Sequence, residues 1–208
     1  MQLTTVLGVT LRNKASILKE QGNFDAATET FNKVLIIQLE TVGEMHPMTA
    51  TTYEELALVH IQQGMIEGAI KVYTKAIKSR RKELGNDHTH AQKLVLSLAI
   101  LEREKHAKTL NGQGLAMYAK ADSEKAMQLF QEALGMYKGI SGVCPSIAVV
   151  YASISAVKID QGLLEDALAE SAESLKIRQR RIGDDHANAK RRVATHRYLL
   201  KLLLKNRR

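Results

Sequence analysis

Three histidines stand at one recurring position of this 208-residue chain, His46, His88 and His186, and Asp87 and Asp185 precede two of them. Imidazoles beside carboxylates can ligate a divalent metal or trade protons with a substrate. Either role needs the side chains to converge. His46 and His88 are 42 residues apart and His88 and His186 are 98 apart, and stacked repeats would hold them roughly 10 Å or more from one another. A polar residue recurring where one helix gives way to the next fits helix capping instead. Asp87-His88-Thr89-His90 has its two histidines at i and i+2, which share no helix face and make a poor zinc set. Cys144 is the sole cysteine and has no acid or histidine in a fixed repeat relation to it, so nothing would activate it as a nucleophile. Asn111-Gly112-Gln113-Gly114 lacks the further glycine and the lysine of a phosphate-binding loop. The sequence therefore predicts a protein that is not an enzyme, with no catalytic residue, no metal site and no cofactor.

The elements that carry these residues are set by an internal repeat. Gln21-Gly22-Asn23-Phe24-Asp25-Ala26-Ala27 returns 42 residues on as Gln63-Gly64-Met65-Ile66-Glu67-Gly68-Ala69, and again as Gln161-Gly162-Leu163-Leu164-Glu165-Asp166-Ala167. Lys120-Ala121-Asp122-Ser123-Glu124-Lys125-Ala126 is a weaker copy with alanine in place of glycine. A second landmark follows each long helical stretch: Gly43 before His46-Pro47, Gly85 before Asp87-His88, and Gly183 before Asp185-His186. Gly22, Gly64 and Gly162, and then Gly43, Gly85 and Gly183, are placed to close helices in the left-handed conformation. Pro47 and Pro145, the only prolines, lie 98 residues apart and suit the first turn of a helix, where a missing N–H costs nothing. Between landmarks the apolar and small residues step by three and four, as in Phe24, Ala27, Phe31, Val34 and Leu35, then Ile66, Ala69, Tyr73, Ala76 and Ile77. Residues 89–103 interrupt the period with Ala91, Leu94, Val95, Leu98 and Leu101 at helical spacing, which predicts one long helix over about 89–120. A break at Asn111-Gly112-Gln113-Gly114 stays open, although Gly114 occupies the position of Ala15 and Ala57, where close helix packing favours a small residue.

A small residue, an alanine five later, an aromatic four after that and a small residue three further on (Gly64, Ala69, Tyr73, Ala76; Ala121, Ala126, Phe130, Ala133) resembles the tetratricopeptide repeat. The period of 42 and the Leu84-Gly85-Asn86-Asp87-His88 and Ile182-Gly183-Asp184-Asp185-His186 loops resemble the longer repeats of kinesin light chains. The resemblance implies an all-α fold, a right-handed α-solenoid of antiparallel helix hairpins, over residues 1–186, with units of about 5–46, 47–88, 104–144 and 145–186. It also implies a non-catalytic scaffold or adaptor that binds a peptide segment or helix of a partner protein in a concave groove lined by the first helix of each pair. The matching groove positions here are Arg12, Asn13, Ser16 and Lys19, then Glu54, Glu55 and Leu58, then Asn111. Asn13 matches an asparagine with which family members hold a peptide backbone, its amide donating and accepting at once. The same mixture of Arg12, Lys19, Glu54 and Glu55 forms no single-sign pocket and also fits a plain solvated face.

Charge singles out the carboxy terminus. The chain carries +8, yet residues 176–208 hold twelve Lys and Arg against two Asp, a net of +10, leaving −2 for everything before them. Residues 187–208 are expected to form a basic capping helix with Lys190, Arg197, Lys201, Lys205 and Arg208 on one stripe. This stripe offers the alternative function, a tether to an acidic partner or an anionic membrane, and it is the only route to a membrane that the sequence suggests. Nine aromatic residues and no Trp leave little for base stacking, which disfavours nucleic acid as a partner. No apolar run approaches the ~18 residues of a membrane span. The acid-free start with Arg12, Lys14 and Lys19 has the composition of an organellar transit peptide, but Thr10 to Gly22 align with Thr52 to Gly64 as a first repeat helix. A single cysteine suits a reducing compartment, with the cytoplasm as the expectation.

Overall fold

The computed structural model describes residues 2–140, 146–182, 198 and 201. Its elements are helices: α1 (Gln2–Glu20), α2 (Phe24–Thr41), α3 (Pro47–Gln62), α4 (Ile66–Leu84), α5 (Thr89–Ala119), α6 (Ser123–Lys138), α7 (Ile147–Asp160) and α8 (Leu164–Ile182). The turn inside each helix pair is the same object four times. After α1, the Gly22 N–H donates to Lys19 O at 3.0 Å and the Asn23 N–H to Leu18 O at 2.9 Å. Gly64-Met65, Ala121-Asp122 and Gly162-Leu163 repeat both bonds. This is the Schellman closure, which satisfies helix carbonyls that would otherwise lack partners and needs a left-handed residue at its centre. Gly22, Gly64 and Gly162 supply it with φ of +75°, +71° and +76°, and Ala121 is forced to +62°.

Sequence also explains how the helices begin. Pro47 sits at the start of α3, where its fixed φ suits the first turn. Asn23 and Asp122 cap α2 and α6 by accepting from the N–H of Ala26 and Lys125. The capping expected of the recurring histidines is present in both described copies: His46 Nδ1 accepts from Met48 N–H and His88 Nδ1 from His90 N–H, each at 3.2 Å. Gly43 and Gly85 take the expected left-handed φ, +88° and +87°. Gly183, His186, Cys144 and Pro145 lie outside the described residues, as do Lys190, Arg197, Lys205 and Arg208 of the expected basic stripe; Lys201 is helical and exposed.

Helix α5 is unbroken through Asn111-Gly112-Gln113-Gly114, which settles the point the sequence left open. Gly114 is there for packing: a Cβ at that position would lie 2.5 Å from Cε1 of the fully buried Phe130 on α6. The chain divides within α5 into two compact units, Met1–Glu102 and Arg103–Arg208. In the first, α1 packs on α2, α2 on α3 and α3 on α4, and α1 also meets α3. Ala15, Ala27, Ala57 and Ala69 are wholly buried there around Phe31, Tyr53 and Tyr73, joined by Leu94 and Leu101 of α5. Each such aromatic or aliphatic side chain contributes about 1.5–3 kcal/mol by leaving water. In the second unit Ala107 and Leu110 of α5, Ala126, Phe130 and Ala133 of α6, and Val150, Ile154 and Val157 of α7 form one cluster. Its last pair differs in chemistry. Where the other pairs place Phe31, Tyr73 or Phe130, α8 has Ser171, and α7–α8 is joined by buried hydroxyls: Ser155 Oγ donates to Ala167 O at 2.8 Å and Ser174 Oγ to Ala148 O at 2.7 Å.

The strained alanine gives a first prediction. A left-handed L-residue costs roughly 1–2 kcal/mol, and glycine returns part of that through its looser unfolded chain. Ala121→Gly should therefore raise unfolding stability by about 0.5–1 kcal/mol in urea titration. His60 gives a second. It is buried on α3 with its ring against Gly68 of α4, and burial pushes its pKa below the ordinary 6.5, a hydrogen bond with Gln63 partly opposing. The unfolded chain thus takes up the proton first. The contribution of neutral His60 is present above pH 6.5 and is lost as the pH falls from there through the folded-state pKa. Comparing the pH dependence of melting for the wild type and His60→Leu should show a shallower acid slope in the variant.

Candidate partner-binding face

Ala15 and Ala57 point into the core, which turns the residues on either side of them along α1 and α3 away from the second helices. Arg12, Ser16 and Lys19 are thereby partly buried, Asn13 is exposed, and Leu58 is 41% exposed. Across the α1–α3 contact, Lys19 Nζ meets Glu55 Oε2 at 2.5 Å. Glu54 is committed elsewhere. Its Oε1 accepts from Arg80 Nε at 2.8 Å, and its Oε2 faces His90 Nε2 at 3.0 Å. With a carboxylate opposite, that imidazole nitrogen is the donor. Arg80 also donates to Thr51 Oγ1 at 2.8 Å and Glu83 Oε2 at 3.1 Å. Burial works against the Arg80 charge, but bonding to Glu54 and then Glu83 outweighs it and raises its pKa above the ordinary arginine value. The hydroxyl of buried Tyr73 has its pKa raised, by burial first and then by Glu54 and Glu55.

Glu54 and Glu55 are both among the groove positions expected from the sequence, and their oxygens join α3 to α1, α4 and α5. Arg80 and His90, which hold Glu54, were missed. The repeat register says which residues share a helix face, and it carries no signal for which long side chain of a second helix reaches round to the first. Asn111 belongs to the second unit, at the helix position of Arg12 and Glu54. It is buried, and its Oδ1 has no hydrogen-bond partner among the described residues. In that unit Tyr118 on α5 donates its hydroxyl to Asp160 Oδ2 on α7. This bond leads the causes that raise the Tyr118 pKa, ahead of burial and the Asp160 charge. Leu115 and Val149 are exposed on the same two helices. Among the described residues no three His, Cys, Asp or Glu side chains gather as a metal site, and no helix is long and apolar enough to cross a membrane.

Two family models described as tetratricopeptide repeat match residues 6–82 and 147–188. The chain belongs to the tetratricopeptide-repeat family. This tetratricopeptide-repeat chain is 26% identical over 176 residues to the secreted RxLR effector protein RXLR-C07 of Plasmopara halstedii, a match covering 84% of this chain and 50% of the relative. The chain spans about half the length of the curated relatives it matches. Among solved structures it is similar to the apo form of the quorum sensor NprR from B. thuringiensis, with a TM-score of 0.52 at 15% identity over 97% of this chain and 60% of that one. That similarity concerns the fold. A putative kinesin light chain of Podosopora anserina with nearly identical TPR-like repeats is a more distant structural neighbour, at a TM-score of 0.38 and 16% identity over 100% of this chain and 95% of that one.

Removing Glu54 leaves Arg80, which is 14% exposed, with Glu83 as its remaining carboxylate. Glu54→Ala should cost about 1–2 kcal/mol, the usual value of a charge-assisted bond reduced by partial exposure. Glu54→Gln, which keeps an acceptor, should cost less. Urea titration of the two variants checks the order.

Proposed function

We propose that this chain is a non-catalytic interaction scaffold that holds a peptide segment or helix of a partner protein on the face built by α1 and α3. One observation carries the reading. Glu54 and Glu55, the two carboxylates of that face, are already matched by Arg80, His90 and Lys19. Beside them stand an exposed amide and leucine, Asn13 and Leu58, and a partly buried hydroxyl and guanidinium, Ser16 and Arg12. Such a set suits a peptide backbone and an apolar side chain better than a strongly charged ligand. The charge network also fixes the helices before any ligand arrives, which lowers the ordering cost of binding.

The basic segment from Lys176 onward is the second candidate surface, on the strength of its +10 net charge. The lone cysteine supports the cytoplasm as the compartment. The relative named as a secreted effector supports export as the competing reading, and fractionation of the tagged chain separates the two.

The groove reading is tested with Arg12→Ala/Asn13→Ala. In affinity capture followed by titration of the recovered partner, the double variant should bind at least tenfold more weakly, about 1.4 kcal/mol, with unchanged helicity and melting. A partner set and affinity equal to those of the wild type would remove the proposal's support.

A further inference from the structure

Arg80 and Arg178 stand 98 residues apart, at one position of the second helices α4 and α8. Three acceptors complete the Arg80 guanidinium: Glu54 Oε1 takes its Nε–H at 2.8 Å, Thr51 Oγ1 lies at 2.8 Å and Glu83 Oε2 at 3.1 Å. The same step of 98 turns Glu54, Thr51 and Glu83 into Ala152, Val149 and Arg181. Both carboxylates are lost, and one of them has become a cation. Arg178 is nevertheless drawn toward its helix pair. It follows Ser174 by one turn of α8, where the Ser174 hydroxyl meets Ala148 O of α7, and its side chain is partly buried. Its Nε, the atom with which Arg80 holds Glu54, is buried and has no hydrogen-bond partner among the described residues. A guanidinium cannot shed its proton, so a buried donor of this kind left unpaired costs free energy that a partner anion would recover.

We propose that Arg178 binds a carboxylate of a partner peptide, in the place that the Glu54 side chain fills beside Arg80. The first unit shows what completes an arginine at this position of a helix pair, and it is a carboxylate at the first-helix position where Ala152 now stands. Alanine has nothing beyond Cβ, so the room that Glu54 occupies is left to a ligand. Val149, one turn earlier on α7, is 41% exposed and leaves that end of the face open to solvent. Residues 178–181 hold three arginines and no acid, a local field that draws an anion in. A planar guanidinium also takes a carboxylate through paired hydrogen bonds, as it cannot take a neutral amide. That the carboxylate belongs to a peptide, as an aspartate or glutamate side chain, rests on the scaffold function proposed above. An arginine of a second helix then sets the preference for acidic sequence, apart from the first-helix groove residues.

The probes are the N-acetyl methylamides of glutamate and aspartate, with those of glutamine and asparagine as neutral controls. They are titrated into the full chain carrying isotope-labelled arginine, and the Nε–H resonances are followed by NMR. The Arg178 signal, assigned by its loss in Arg178→Lys, should shift saturably with the acids, at about tenfold or greater preference over the amides. The Arg80 signal, already held by Glu54, should not move. Ala152→Glu should carry the Arg178 signal toward that of Arg80 and stop the response. Glu54→Ala, which creates the Ala152 arrangement beside Arg80, should make Arg80 respond, and it carries the comparison if Ala152→Glu does not fold. No response of Arg178 overturns the proposal. So does an equal response to the amides, and so does tighter binding of inorganic phosphate, or of N-acetylglycine with its terminal carboxylate, than of either acid. Arg12→Ala/Asn13→Ala should leave the Arg178 response unchanged. Loss of peptide binding in that variant with Arg178 still responsive, or the reverse, tells failure of one site from failure of the other.

Discussion

The reversal of the chain at four left-handed residues sets everything else. Gly22, Gly64, Ala121 and Gly162 each close one helix and aim the next antiparallel to it, through the same two backbone hydrogen bonds. Because the turn has a fixed length, it also fixes which residues of the two helices face one another. Ala27, Ala69, Ala126 and Ala167 follow the left-handed residue by five positions in every copy, and all four are wholly buried. A turn one residue longer would rotate the second helix by about 100° and carry those alanines out of the contact. The stack can tolerate a costly residue at the turn, as Ala121 shows, more readily than a change of length.

With the register fixed, the chemistry inside a pair can vary. Three pairs fill the space beside the alanine with Phe31, Tyr73 or Phe130. The fourth has Ser171 there, with Ser155 and Ser174 at two further core positions, and the helices are joined by hydroxyl-to-carbonyl bonds. A buried hydroxyl that finds a carbonyl recovers its desolvation cost and adds about 1 kcal/mol, less than an aromatic ring gains by burial. The last described pair thus replaces part of the apolar contact of the others with directional bonds.

How much of this was legible in the sequence follows the same division. The helices, their glycine closures, the histidine caps and the proline at the head of α3 are local events, and a repeat displays each several times, so one sequence contains its own alignment. Gly114 was legible for the same reason, since its counterparts Ala15 and Ala57 showed the position to be a close contact. Unrepeated features were not legible. Arg80 reaches Glu54 from α4, and His90 meets it from the inserted stretch of α5; Arg80 recurs 98 residues on as Arg178, but Ala152 stands there in place of Glu54, so the pairing itself is not repeated. The family position that singles out Glu54 carries no sign that its oxygens are already used by Arg80 and His90.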